Sequence, residues 1–170
     1  MSTYQELCDA FTESYKRQNE YSNDCCDFAN FVFKKMAEHS EWPQDRITFS
    51  RDKQPEVWSP TCNRTVASLR KDGYLCFDVC LEIRRNDNPA HRYKIAIPTT
   101  VKKFGESFFV KIEDMEDEFL LNENATDELQ KFFEFIFGTI KRHFGTPFLD
   151  WDVPGLLREI DPEDEDNKEE

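Results

Sequence analysis

The chain has 170 residues, 38% apolar and 34% charged, with a formal net charge of -13. That length suits one domain. The composition excludes collagen-like and low-complexity classes, and no run of 18 apolar residues exists to cross a membrane.

The N-terminal stretch Met1 to Ala10 is polar and has no apolar h-region, so no secretory signal is read and a cytoplasmic location is expected. Residues 3–18 are predicted to be helical, with Tyr4, Leu7, Cys8, Phe11 and Tyr15 on one face. Thr3, with Glu6 three residues later, suits a capping box. Polar residues from Arg17 to Asn23 interrupt the stripe. Ser22 then suits the cap of a second helix with Asp24 in its first turn. Its stripe is Cys25, Phe28, Ala29, Val32 and Met36, it runs to about His39, and Pro43 enforces the stop. The pattern leaves open whether residues 3–39 are one helix or two.

Ile47 and Phe49 alternate with polar residues and suggest a short strand. Pro55 and Pro60 point to a loop or edge strand around Val57 and Trp58. Thr65–Arg70, Asp72-Gly73 and Tyr74–Arg84 read as a hairpin, with both turn positions expected at positive φ. Leu75, Phe77, Val79, Leu81 and Ile83 share the inward face of its second strand. Cys76, Asp78, Cys80, Glu82 and Arg84 share the outer one. A turn at Asn86–Pro89 leads to Arg92–Ile97, with Tyr93, Ile95 and Ile97 inward. Gly105 marks a turn before Ser107–Glu113, and Glu118–Leu121 suggests a last short strand. Each strand is apolar on one face, as in an antiparallel sheet covered on one side.

Thr126 is expected to cap a helix with Leu129, Phe132, Phe133, Ile136, Phe137, Ile140 and Phe144 on its apolar face, closed by Gly145. A short helix from about Pro154 is expected in the segment Pro147–Ile160. The fold class is therefore α+β. The expected architecture is a two-layer sandwich: an N-terminal helix or helix pair, an antiparallel meander of four to six strands, and a C-terminal helix. Residues 1–160 form one domain and 161–170 an acidic flexible tail.

The net charge is segregated. Residues 161–170 carry -6 and residues 113–128 carry -8, whereas the remaining 144 residues carry 20 acids against 21 bases. The tail has no apolar residue with which to offset ordering entropy. From Arg84 to Lys103 the chain carries +5, through Arg84, Arg85, Arg92, Lys94, Lys102 and Lys103 against Asp87. If the hairpin centres near Asn88, Glu82 pairs with Lys94 and Arg84 with Arg92. Two arginines side by side are unfavourable unless something neutralises them.

The six cysteines include no C-x-x-C pair and are expected to be reduced, mostly small core residues. Asp78, Glu82 and Lys94 resemble a nuclease set in type, but four residues along a strand separate the two acids by about 13 Å, too far for comfort around one magnesium. A nucleophilic thiol near Ser22, at Cys25 or Cys26, would need a helix N-terminus there. His39, His91 and His143 are expected at surface positions. No cofactor or metal site is expected.

The leading expectation is a non-enzymatic acidic interaction protein that binds a protein partner (inhibitor, adaptor or chaperone-like) and self-associates as a homodimer. The candidate residues are Arg84, Arg85, Arg92, Lys94, Phe109 and Phe135, with Phe31 and Phe33 also in surplus over one sheet face. The expected dimer sets the basic hairpin of one copy against the acidic block of another, on the premise that the two turns lie at different ends of the sheet. Two alternatives are a DNA-mimicking inhibitor carried by the acidic blocks, and an enzyme built on Asp78, Glu82 and Lys94. Direct nucleic-acid binding is disfavoured by the negative net field.

Overall fold

In the computed structural model, which describes residues 2–113, 115–145 and the backbone of 158–160, residues Thr3–Ser40 form one uninterrupted helix, α1. Its cap is Ser2, one residue earlier than expected: the Ser2 hydroxyl accepts a hydrogen bond from the Gln5 N–H at 3.2 Å. Ser-Thr-Tyr-Gln is thus the capping sequence. Ser22 lies mid-helix and buried rather than at a cap. The polar break at 17–23 is bridged because Tyr21 ties the helix to the sheet, donating to the Gly73 carbonyl at 2.7 Å and accepting from the Lys103 N–H at 3.0 Å. The helix ends where Glu41 takes a left-handed conformation (φ 56°) and the Trp42 N–H reaches the Ala37 carbonyl, just before Pro43.

A 3-10 turn, Gln44–Arg46, leads to β1 (Ile47–Arg51) and β2 (Gln54–Ser59), followed by the short β3 (Ser68–Leu69). The long strands β4 (Leu75–Arg84) and β5 (Arg92–Phe104) come next, then β6 (Ser107–Ile112), β7 (Glu118–Leu121), α2 (Thr126–Gly145) and β8 (Arg158–Ile160). The sheet is antiparallel in the order β2-β1-β4-β5-β6-β7, with β3 added on β4 and β8 on β5. It therefore has more strands than the four to six expected. The expected helix from Pro154 and the tail 161–170 lie outside the described residues, except that 158–160 form a strand.

The hairpin register falls where the turn composition placed it, with Glu82 opposite Lys94 and Arg84 opposite Arg92. The Asp72-Gly73 turn differs from expectation. Only Gly73 has a positive φ, 87°, and its N–H donates to the Arg70 carbonyl, so the connection is a four-residue turn closed by a left-handed glycine. β5 continues seven residues past Ile97 because Pro98 sits at a break in its edge. β8 pairs at 94–96 and β6 pairs from 99 onward, so the missing N–H faces the gap between them. The Pro98 carbonyl still accepts from the Glu113 N–H at 2.9 Å.

One core holds the sheet and both helices together. Phe77, Val79, Leu81, Ile95 and Ile97 meet Met36, Val32, Phe33, Phe132 and Ile136, all buried. Phe33 packs edge-on against Phe49 and Phe132. Phe28 stacks on Phe108 at 4.1 Å, and Phe119 meets Phe132 at 5.2 Å. The phenylalanine surplus is largely absorbed here. Phe33 is a core residue, and Phe31 and Phe135 are packed against the core.

Candidate functional site

The same helical stripe that buries Cys25, Ala29, Val32 and Met36 continues toward the N-terminus as Tyr15, Phe11, Cys8 and Tyr4, where the three aromatic side chains are exposed. Residues 2–20 are exposed apart from the half-buried Cys8 and Asn19. Tyr4 is 75% exposed, Leu7 65%, Phe11 72% and Tyr15 57%. Every hydrogen bond and ion pair described for this stretch stays within it, including Gln5 to Asp9 and Glu13 to Arg17. At about 1.5 Å per residue, roughly 27 Å of helix carries an uncovered apolar face. Peptide helices of this length are marginal in water, and a helix gains most of its stability from packing such a face.

The basic hairpin is organised differently from expectation. Glu82, with a side chain only 10% exposed, lies 3.2 Å from Arg84, 3.7 Å from Arg92 and 4.0 Å from Arg46. A carboxylate on the strand itself thus supplies part of the neutralisation that Arg84 beside Arg92 demands. Arg85 is paired with Asp87 through two hydrogen bonds. Lys94 is half-buried. Phe109 is half-buried and packs on the exposed Phe104 at 5.3 Å. Phe135 faces Phe119 at 5.2 Å.

The face of β4 turned away from Phe77, Val79 and Leu81 is polar yet largely buried, contrary to the expectation of a single covered face. Cys76, Asp78, Cys80 and Glu82 are buried there, with Ala96 and Thr100 beside them. Long side chains account for part of this. Arg46, Arg84 and Arg92 converge on Glu82 from that side, and Arg70 reaches Glu113 at 3.4 Å. Ser50 lies 3.3 Å from the Cys80 sulfur, and the Thr100 hydroxyl donates to the Lys111 carbonyl.

The acidic stretch 113–128 is engaged with its own body at several points. Besides the Arg70–Glu113 pair, the Tyr74 hydroxyl donates to Glu118 at 2.6 Å, which pushes the Tyr74 pKa up to about 12. Strand directions put the 84–92 hairpin and the β6–β7 turn toward the same end of the sheet. That end carries Glu113, Glu116, Asp117 and Glu118, whereas Glu123, Asp127 and Glu128 follow β7 at the other end, so the two-ended premise of the expected charge-paired dimer applies to only part of the acidic block.

Cys25 and Cys26 are mid-helix, without the N-terminal dipole a nucleophile there would need. Burial pushes the Cys25 thiol up to about 11 and the Cys76 thiol likewise to about 11. The Cys26 and Cys62 thiols share a hydrogen bond that lowers the Cys26 pKa and raises that of Cys62. Asn30 holds the Cys62 backbone at both ends, accepting from its N–H at 2.7 Å and donating to its carbonyl at 3.0 Å. This pairing was invisible in the sequence, because 36 residues separate the partners. All six cysteines are free thiols. His39 lies near Phe133 and His143 near the Tyr93 hydroxyl. Among the described residues no cysteine–histidine hydrogen bond occurs, and no three His, Cys, Asp or Glu residues cluster as ligands for one metal ion. No described helix is long and apolar enough to cross a membrane. A cleft of about 210 Å³ bordered by Asn30, Phe33, Phe49 and Pro60 is smaller than usual ligand sites of about 300–1,000 Å³.

Compared with protein-family models, curated proteins and solved structures, the chain shows no match.

Proposed function

We propose that this chain is a non-enzymatic binding protein, with helices layered on one face of the sheet, that engages a protein partner through the N-terminal half of α1. The single observation that carries this reading is the exposed stripe Tyr4, Leu7, Phe11 and Tyr15 on a helix already folded. Anchors at i, i+3, i+7 and i+11 are the spacing with which an amphipathic helix enters an apolar groove or meets another helix. Clustered aromatic anchors contribute most of the energy at such contacts. A membrane surface is a poorer fit. Residues 3–20 carry four acids and two bases, where an interfacial helix uses a lysine- and arginine-rich polar face.

Among the residues expected from sequence, Arg84 and Arg92 serve the fold through Glu82. Phe109 with Phe104 offers a second, smaller contact. The test is a photoreactive phenylalanine analogue placed at Phe11 or, as control, at Glu13 on the outward face. The reading expects a discrete protein adduct from position 11 and little from position 13. Equal labelling from both positions, or none from either, overturns it.

A further inference from the structure

We infer that the partner of the N-terminal half of α1 is a second copy of the same helix, packed antiparallel with Tyr4 of each copy against Tyr15 of the other. This rests on the reading that the stripe is a binding surface and commits it to one occupant.

The spacing supports the geometry. Tyr4, Cys8, Phe11, Tyr15, Gln18, Ser22, Cys25, Ala29, Val32 and Met36 follow one another at alternating steps of four and three residues. They form one unbroken heptad seam. Its second half is packed on the sheet, and its first half holds the exposed Tyr4, Phe11 and Tyr15 with the half-buried Cys8 among them and Leu7 beside them. The positions flanking the exposed seam are Gln5, Leu7, Thr12 and Ser14, all uncharged. Glu6, Asp9, Glu13, Lys16 and Arg17 all fall on the outward positions. A second copy therefore meets the seam without bringing like charges together at its edges.

Volume and charge select the orientation. Antiparallel packing about the point between Asp9 and Ala10 makes four layers: Tyr4 on Tyr15, Cys8 on Phe11, and the same two in reverse. Each small cysteine faces a large phenylalanine. A parallel pair would stack Phe11 on Phe11 and Cys8 on Cys8, leaving thick and thin layers. The antiparallel arrangement also sets the helix dipoles head to tail. It places the two bodies, each beginning near Tyr21, roughly 35 Å apart along the pair. That separates two chains whose formal charge is -13 each, well beyond the Debye length of about 8 Å at physiological salt.

Area places the contact among known interface sizes. With aromatic side chains at about 200 Å² each, the exposed stripe offers roughly 500 Å² per copy. The pair then buries about 1,000 Å², the low end of specific interfaces. A contact at that low end suits a weak dimer, populated at about 100 μM and dissociating on dilution.

The experiment uses the full chain. Light scattering at about 100 μM should report twice the 20.2 kDa chain mass for the wild type. Phe11→Glu should weaken association by about a hundredfold or more and give a monomer. Position 11 lies off the body, so the variant should keep the wild-type melting profile of the core. Register is read in a Cys8→Ala background. The double variant Tyr4→Cys with Tyr15→Cys should oxidise to a covalent dimer, and neither single variant should, because like positions lie about 16 Å apart along the antiparallel pair, out of disulfide reach. Covalent dimers from the single variants would mean parallel packing and overturn the register. A wild-type monomer at 100 μM overturns the dimer. If the Phe11 photoadduct with a different protein survives that result, only the second-copy assignment falls. If no adduct forms, the binding reading falls with it.

Discussion

Glu82→Ala is expected to destabilise the sheet by about 2 to 4 kcal/mol. The carboxylate is nearly buried, and Arg84, Arg92 and Arg46 converge on it at 3.2, 3.7 and 4.0 Å. Only the Arg84 contact has hydrogen-bond geometry, and a hydrogen bond to a charged group is worth about 1.5 to 3 kcal/mol. The other two are longer ion pairs to arginines about a third exposed, each worth at most about 1 kcal/mol. Removing the carboxylate also leaves Arg84 directly opposite Arg92, where like charges repel. For a chain of this size the loss corresponds to a fall in Tm of about 5 to 15 °C, readable by circular dichroism or calorimetry. Glu82→Gln keeps the shape and an acceptor but not the charge, and should fall between the wild type and Glu82→Ala. Because part of the loss is arginine–arginine repulsion, 1 M salt, with a Debye length of about 3 Å, should recover some of it. A fall below 2 °C, or a loss untouched by salt, would refute the view that Glu82 offsets charge in this cluster.

Phe132→Ala removes a fully buried ring between Phe33 and Phe119 and should cost about 3 to 5 kcal/mol, whereas Phe11→Ala should leave the denaturant midpoint of the core unchanged; both are read by urea titration. Gly73→Ala forces a side chain into φ 87° and against Lys102 and should cost about 1 kcal/mol or more by the same titration. In native protein at pH 8, a thiol reagent should modify Cys8 first, because the other five cysteines are buried; unfolding should release all six. Burial raises Cys25 and Cys76 from 9.0 to about 11, so between those values the unfolded chain binds fewer protons than the folded one, and stability should fall as pH rises through that window.

Alternation made the body legible. Strands β4 and β5 show their inward faces residue by residue, and the Asn86–Pro89 turn composition located the register correctly. α2 was legible from its phenylalanine and isoleucine spacing. Other features depended on partners distant in sequence. The continuity of α1 rests on Tyr21 bonding across to Gly73 and Lys103, and the length of β5 rests on a gap opposite Pro98. The polar face of β4 looked like a solvent face because alternation reports side-chain type, whereas arginines from three segments converge on Glu82 at one end of it. At the candidate surface the sequence marked Tyr4, Leu7, Phe11 and Tyr15 as one apolar face. It did not reveal that the body leaves this face bare, because the same periodicity describes the buried half of the helix. Phe135 and Phe33 illustrate the converse, apolar residues off a main stripe that nonetheless find the core.

Hydrogen exchange along α1 as a function of protein concentration tests the binding surface most directly. Residues 22–37 pack on the sheet and should be protected at every concentration. Residues 3–20 should exchange fast when dilute, as a marginal unpacked helix does. They should gain protection at tens of micromolar and lose that gain in Phe11→Glu. Equal, concentration-independent protection of both halves, unchanged in the variant, would contradict the claim that the N-terminal stripe is a surface awaiting a partner.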